Sequence, residues 1–331
     1  MSIRQPRPIA LLGFPGLQLL DVTGPLQMFA GANDELGGGA YRLSLVGPAV
    51  GPLASSSGLQ LVADQSYAQL RRGKHDTLIA VGGDAGLAAA LRVGEIARLL
   101  AETHARGRTR RIASVCTGAF FLAAAGLLDG RRAVTHWRAV ERLRQFRSQV
   151  TVVPDAIHVR DDPFWTSAGV TAGIDLALAM IEADHGRELA LTIARRHLVF
   201  RIRPGGQSQF SSELMQESAA DPRIARLARL IAAEPDGDWR LETLADAAGV
   251  SLRSLTRMFR RELNVSPAEY VERIRVDAAR RALLESKAPV AAIARRCGFG
   301  SLRRIDRAFA RSVSVSPREF RERFLSPETQ P

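Results

Sequence analysis

The stretch ASVCTGAFFLAAAGLL, residues 113–128, sets one of only two cysteines at the end of a β-like run and directly before a small-residue helix. A strand, a nucleophile and a helix in that order form an elbow that exposes a reactive side chain. Gly118 would permit the tight turn, and the helix N-terminus would favour the Cys116 thiolate. Three uses stay open for Cys116: a nucleophile, a small-molecule or redox sensor, or a buried thiol without chemistry. His136, 20 residues further on in THW, reads as a structural histidine. Cys297 falls at a core-facing helical position and reads as structural. The two cysteines lie in what read as separate domains, so both are expected as reduced thiols.

A second constellation is cationic and repeated. Residues 244–273 align with 293–323: Ala245 with Ala294, Gly249 with Gly298, Phe259 with Phe309, Ser266-Pro267 with Ser316-Pro317, Tyr270 with Phe320. Each copy has the parts of a helix-turn-helix, with a small residue where a second helix must approach and, four residues later, a glycine able to take the positive φ of the turn. Ser251 and Ser301 stand at N-cap positions. In the second helix Leu252, Leu255 and Phe259, and their counterparts Leu302, Ile305 and Phe309, are expected to face inward. The outward face is mostly arginine: Arg253, Arg257, Arg260 and Arg261, then Arg303, Arg304, Arg307 and Arg311. Such faces behind glycine turns point to double-stranded DNA. Residues 267–286 predict one connecting helix of roughly 30 Å, close to a 34 Å turn of B-DNA, so one chain could reach two successive major grooves.

These residues need two kinds of scaffold. In the first half, PIALLGF, YRLSLVG, DTLIAVGG, RRIASVC, VTVV and FWTSAG alternate with helical stretches, the pattern of buried parallel strands joined by crossover helices. The fold class expected is an open α/β sandwich of flavodoxin-like type, followed by an all-α domain with two helix-turn-helix units. The domains expected are 1–200, a linker at 201–221 rich in Gly, Ser, Gln and Pro, and 222–331. The chain has 331 residues and a net charge of +12, and residues 220–331 hold 22 Lys and Arg against 15 Asp and Glu. Excess cationic charge makes a polyanion the leading partner. No apolar run is long enough to span a bilayer, and the N-terminus reads as a tail entering a strand rather than a signal peptide, so the cytoplasm is the default.

The C-terminal region, with GFGS, RAF and SVSP near its end, resembles the AraC family of bacterial transcription regulators over residues 222–324. The resemblance places base-reading positions at Arg253, Thr256 and Arg257 and at Arg303, Asp306 and Arg307. Asp306, an acid near phosphates, could accept from cytosine N4 or orient an arginine. FPGLQLLDVTGPLQMF (14–29), VCTGAFFLAAAGLLDGRRAVTHW (115–137) and TSAGVTAGIDLAL (166–178) resemble the PfpI-like branch of the class I glutamine amidotransferase-like superfamily, over residues 8 to about 195. The elbow cysteine of that branch then matches Cys116, an acid hydrogen-bonded to it matches Asp21, Thr117 falls beside it, and Gly82 and Gly83 match a turn whose amides line the same pocket. Protease-like relatives carry a histidine where this chain has Thr117, so a Cys–His hydrolase is not expected. Together the two halves resemble GlxA-like regulators. The resemblance implies a DNA-binding regulator whose first domain senses a small molecule and forms a homodimer, with RNA polymerase as a partner if it activates. The alternative is a cysteine-dependent hydratase or amidase-like enzyme using Cys116 and Asp21. No cofactor, metal or membrane is expected.

Overall fold

The computed structural model describes residues 5–154, 156–199, 221–263, 265–312 and 315–324, and the chain divides into two compact units, Met1–Gln209 and Phe210–Pro331. Most of the Gly/Ser-rich segment expected as a linker lies outside the described residues.

The first unit runs β1 (Arg7–Leu12), α1 (Leu19–Glu35), β2 (Tyr41–Gly47), β3 (Gly51–Ala54), β4 (Gln60–Ala63), β5 (Gln65–Ser66), α2 (Tyr67–Leu70), β6 (Thr77–Ala80), α3 (Asp84–Val93), α4 (Glu95–Ala105) and β7 (Arg111–Val115). It continues through α5 (Ala119–Ala124), β8 (Arg132–Ala133), α6 (Val140–Phe146), β9 (Thr151–Val152), β10 (His158–Asp161), β11 (Phe164–Ser167), α7 (Ala172–His185) and α8 (Arg187–Arg196). Seven strands form one sheet in the order β10-β11-β7-β6-β1-β2-β5, parallel except for β10. Helices α1, α7 and α8 pack together, as do α3, α4 and α5. Every residue of β6 and β7 is buried, as their near-continuous apolar runs require of strands covered on both faces. At the strand starts, buried Asp184 of α7 pairs with Arg7 at 2.6 Å, Arg110 at 2.9 Å and Arg111 at 2.7 Å, fixing that helix to the sheet.

Five of the six expected strands belong to this sheet. VTVV does not: only Thr151–Val152 pairs, and with β8 in a separate two-stranded ladder.

The second unit is helical throughout its described residues: α9 (Pro222–Ala233), α10 (Leu241–Ala248), α11 (Leu252–Leu263), α12 (Pro267–Glu285), α13 (Val290–Arg296), α14 (Leu302–Ser312) and α15 (Pro317–Phe324). It has two hydrophobic cores that share one helix. Tyr270, Val271 and Ile274 of α12 join the first with Leu255 and Phe259; Val276, Ala279 and Leu283 join the second with Ile305 and Phe309. The duplication survives in the packing, since Phe259 meets Tyr270 edge-on at 5.6 Å and Phe309 meets Phe320 at 5.9 Å.

Candidate functional site

Cys116 sits where four parallel strands end together. The β6–β7 register pairs Ala80 with Ser114, and the β7–β11 register pairs Val115 with Ser167, so the segments after β6, β7 and β11 converge. Asp21, in the first turn of α1 after β1, completes the set. Ligand sites of parallel sheets form at this carboxyl edge.

The elbow is strained at the cysteine itself. Cys116 takes φ +57°, whereas Gly118 has an ordinary helical φ of −56°. Gly118 serves close approach instead, because a Cβ there would come within 2.1 Å of the Ala80 carbonyl oxygen. Gly82 and Gly169 are held by the same crowding: a Cβ on either would lie 2.7 Å or 2.2 Å from Cys116 Cβ.

The expected site residues come together in a ring of hydrogen-bonded groups around Cys116. Asp21 is fully buried, its Oδ2 accepting from the Gly82 amide at 3.1 Å and its Oδ1 from the Val170 amide at 2.8 Å. The Gly83 amide donates to Thr117 Oγ1 at 3.0 Å, and the Thr135 hydroxyl donates to the Cys116 carbonyl at 3.0 Å. Both glycine amides are thus engaged by side chains of the protein. Sequence reasoning did not single out Val170, Gly169 or Thr135, although SAGVTAG and THW held their signal as small and turn-forming residues.

Electrostatics correct one expectation. The Cys116 thiol is pushed up, away from the thiolate: burial contributes most, then the Asp21 and Asp84 carboxylates, and the Thr117 amide and hydroxyl only partly oppose them. Burial likewise raises Asp21 to about 6, against the Val170 and Gly82 amides and the neighbouring Cys116 side chain, which favour its ionised form. His136 caps the short turn Trp137–Ala139, its Nδ1 accepting from the Arg138 amide at 3.4 Å, and burial lowers its proton affinity. Cys297 is buried, as a structural thiol would be.

In the second unit Gly249 and Gly298 take φ +63° and +77° and close the first helix of each pair, the amides of Val250 and Phe299 returning to the carbonyls of Ala245 and Ala294. Leu255, Phe259, Ile305 and Phe309 are buried as expected. Leu252 and Leu302 are not: at 43% and 42% exposure each opens its helix from the flank of the core face. Arg253, Arg257, Arg303, Asp306 and Arg307 are exposed and form no ion pair with any described residue; Thr256 is half-buried, its hydroxyl donating to the Leu252 carbonyl at 3.0 Å. The outward arginines divide, since Arg260 pairs with Glu269 at 3.7 Å, Arg261 with Glu262 at 2.9 Å and Arg311 with Glu272 at 2.6 Å. Among the described residues no group could hold a metal, and no helix is long and apolar enough to cross a membrane.

Residues 7–183 match the DJ-1/PfpI family, and residues 244–323 match a helix-turn-helix domain. The chain is 29% identical to the HTH-type transcriptional regulator CdhR of Pseudomonas aeruginosa, over 88% of this chain and 84% of that one. It is 34% identical to an isonitrile hydratase of Pseudomonas putida, over 55% of this chain and 74% of the hydratase. A THiJ/PfpI family protein from Pseudomonas syringae superposes with a TM-score of 0.54 at 28% identity, over 75% of this chain and 92% of that one.

Proposed function

The chain belongs to the DJ-1/PfpI family and is a DNA-binding transcriptional regulator with an AraC-type helix-turn-helix domain, and from that premise we propose that its first unit senses a small molecule and joins two copies of the chain. The effector site is the carboxyl edge of the sheet, with Asp21, Gly82, Gly83, Cys116 and Thr117. The DNA readers are Arg253, Thr256 and Arg257 on α11 and Arg303, Asp306 and Arg307 on α14. The protein works in the cytoplasm, and RNA polymerase is its partner at promoters that it activates.

The observation that supports the sensing role is the set of engaged groups around Cys116, whose burial favours the protonated thiol. A nucleophile needs the thiolate, and an oxyanion needs free donors, but burial opposes the first and Asp21 and Thr117 occupy the Gly82 and Gly83 amides. Turnover is therefore not part of this reading. Ligand binding would bias the spacing of paired DNA-reading units through the dimer. A mobility-shift titration on the DNA upstream of its own gene, from 50 to 200 mM salt, tests the DNA reading: binding must be sequence-selective and weaken with salt. A thermal-shift screen over amines, amino acids and nitriles tests sensing, and a hit must lose its effect in Asp21→Asn.

A further inference from the structure

The second unit contains a cleft of ≈ 380 Å³ between its two helix-turn-helix halves. Its floor is α12, which contributes Glu272 and Arg275, and one wall is α14, which contributes Arg304, Arg307 and Arg311. Positions 304, 307 and 311 follow at steps of three and four, so they form one stripe of the helix. The charged side chains lining the cleft are thus four guanidinium groups and one carboxylate, with Asp236 and Asp238 close enough to act on Arg275 from outside the lining. Glu272 binds Arg311 in a two-point ion pair at 2.6 and 3.3 Å. Arg275 is held by the carbonyls of Pro235 at 2.8 Å and Gly237 at 2.9 Å, and lies against the Gly298 turn. Arg304 and Arg307 also line the cleft and, unlike Arg311, form no ion pair with a described residue.

We infer that this cleft clamps a backbone phosphate of the DNA strand running between the two grooves, with Arg304 as the principal ligand and Glu272 as a counter-charge that restrains Arg311. The inference rests on the DNA-binding reading. Three observations carry it beyond that reading. The excess of guanidinium groups suits a phosphodiester, Arg307 belongs both to the cleft and to the proposed base-reading face, and the cleft floor is the helix that separates the two reading helices. Glu272 explains why so cationic a groove need not grip every polyanion, since it occupies one of its four arginines. The clamp fixes register and orientation and carries no sequence information.

The test uses the full chain and a DNA site selected from a random pool by the unmodified protein. Affinity is measured from 50 to 200 mM salt for the unmodified protein, Arg304→Gln and Glu272→Gln, on the selected site and on unrelated DNA. Each phosphate contact contributes about 0.9 to the slope of log affinity against log salt. Arg304→Gln should make the slope shallower by about that amount on both DNAs, leaving their affinity ratio unchanged. Glu272→Gln should make it steeper, because Arg311 is released. An unchanged slope in both variants overturns the clamp while leaving DNA binding intact. A loss confined to the selected sequence also overturns it, because Arg304 would then read a base. Failure of the unmodified protein to bind DNA with any salt dependence overturns both readings. Melting temperatures equal to that of the unmodified protein show that the variants are folded.

Discussion

Asp21 and Cys116 converge on Gly82: a Cβ there would lie 2.8 Å from Asp21 Oδ2 and 2.7 Å from Cys116 Cβ, and the Asp21 carboxylate accepts the amides of Gly82 and Val170. One fully buried acid thereby ties together the ends of β1, β6 and β11, beside the cysteine that ends β7. The same contact sets the chemistry, because a carboxylate next to a buried thiol opposes a second negative charge.

Cys116 should therefore be a slow thiol. At pH 7.5 its alkylation by iodoacetamide, followed by mass spectrometry of the labelled peptide, should run about tenfold or more below free cysteine, whose pKa is about 8.5. Asp21→Asn removes the neighbouring charge and should speed labelling. Mild peroxide should leave DNA affinity unchanged. Alkylation as fast as free cysteine would remove the basis for a sensor without turnover.

Asp21 should also give the first unit a pH-dependent stability. Burial raises its folded pKa to about 6 from the ordinary value of 3.8. A raised group contributes stability that is complete below the unfolded value and is lost as pH rises through the folded one. For Asp21 that contribution is about 3 kcal/mol at most. The stability of the unmodified protein relative to Asp21→Asn, from urea unfolding, should thus decline between pH 4 and 6 and level off above 7. A difference that does not vary with pH would contradict the burial of this acid.

The strands that carry the site were legible because β1, β6, β7 and β11 are largely apolar runs, buried over all or most of their length. The hairpin of β3 and β4 was not, since GPLASSSGLQLVA is punctuated by Gly, Pro and Ser and leaves Val62 exposed. Cys116 and Asp21 were recognisable by motif. The ring around them was not, because backbone amides leave no trace in side-chain spacing and its bonds span 61 and 149 residues. Leu252 and Leu302 misled for another reason. They share the helical period of the core but sit one turn before it closes, so period alone places them inside.

Two glycines should respond differently to alanine. At Gly82 the new Cβ would meet Cys116 Cβ and the Thr117 amide nitrogen at 2.7 Å and Asp21 Oδ2 at 2.8 Å. None of these groups can move without breaking the ring, so Gly82→Ala should cost about 1–3 kcal/mol or more. At Gly249 nothing lies within 4 Å, and only the φ of +63° opposes the substitution, a cost of about 1–2 kcal/mol. Melting curves should also show which unit is affected: Gly82→Ala lowers the transition of the first unit and Gly249→Ala that of the second.

Reading by the two helix-turn-helix units should depend on α12 as a ruler. It has 19 residues, about 28 Å at 1.5 Å per residue, somewhat under one turn of B-DNA. Its two cores meet between Ile274 and Val276, so one alanine inserted after Arg275 leaves each core its own residues. The insertion turns one unit about 100° relative to the other and moves it about 1.5 Å. Arg303, Asp306 and Arg307 would then leave the groove whenever Arg253, Thr256 and Arg257 are engaged. Binding to the selected site should fall to the level left by Arg303→Ala combined with Arg307→Ala, whereas Arg253→Ala alone should cost about 1–3 kcal/mol and relax specificity at one position. Two melting transitions unchanged by the insertion, together with undiminished selective binding, would mean that the units read DNA independently and that the connector sets no spacing.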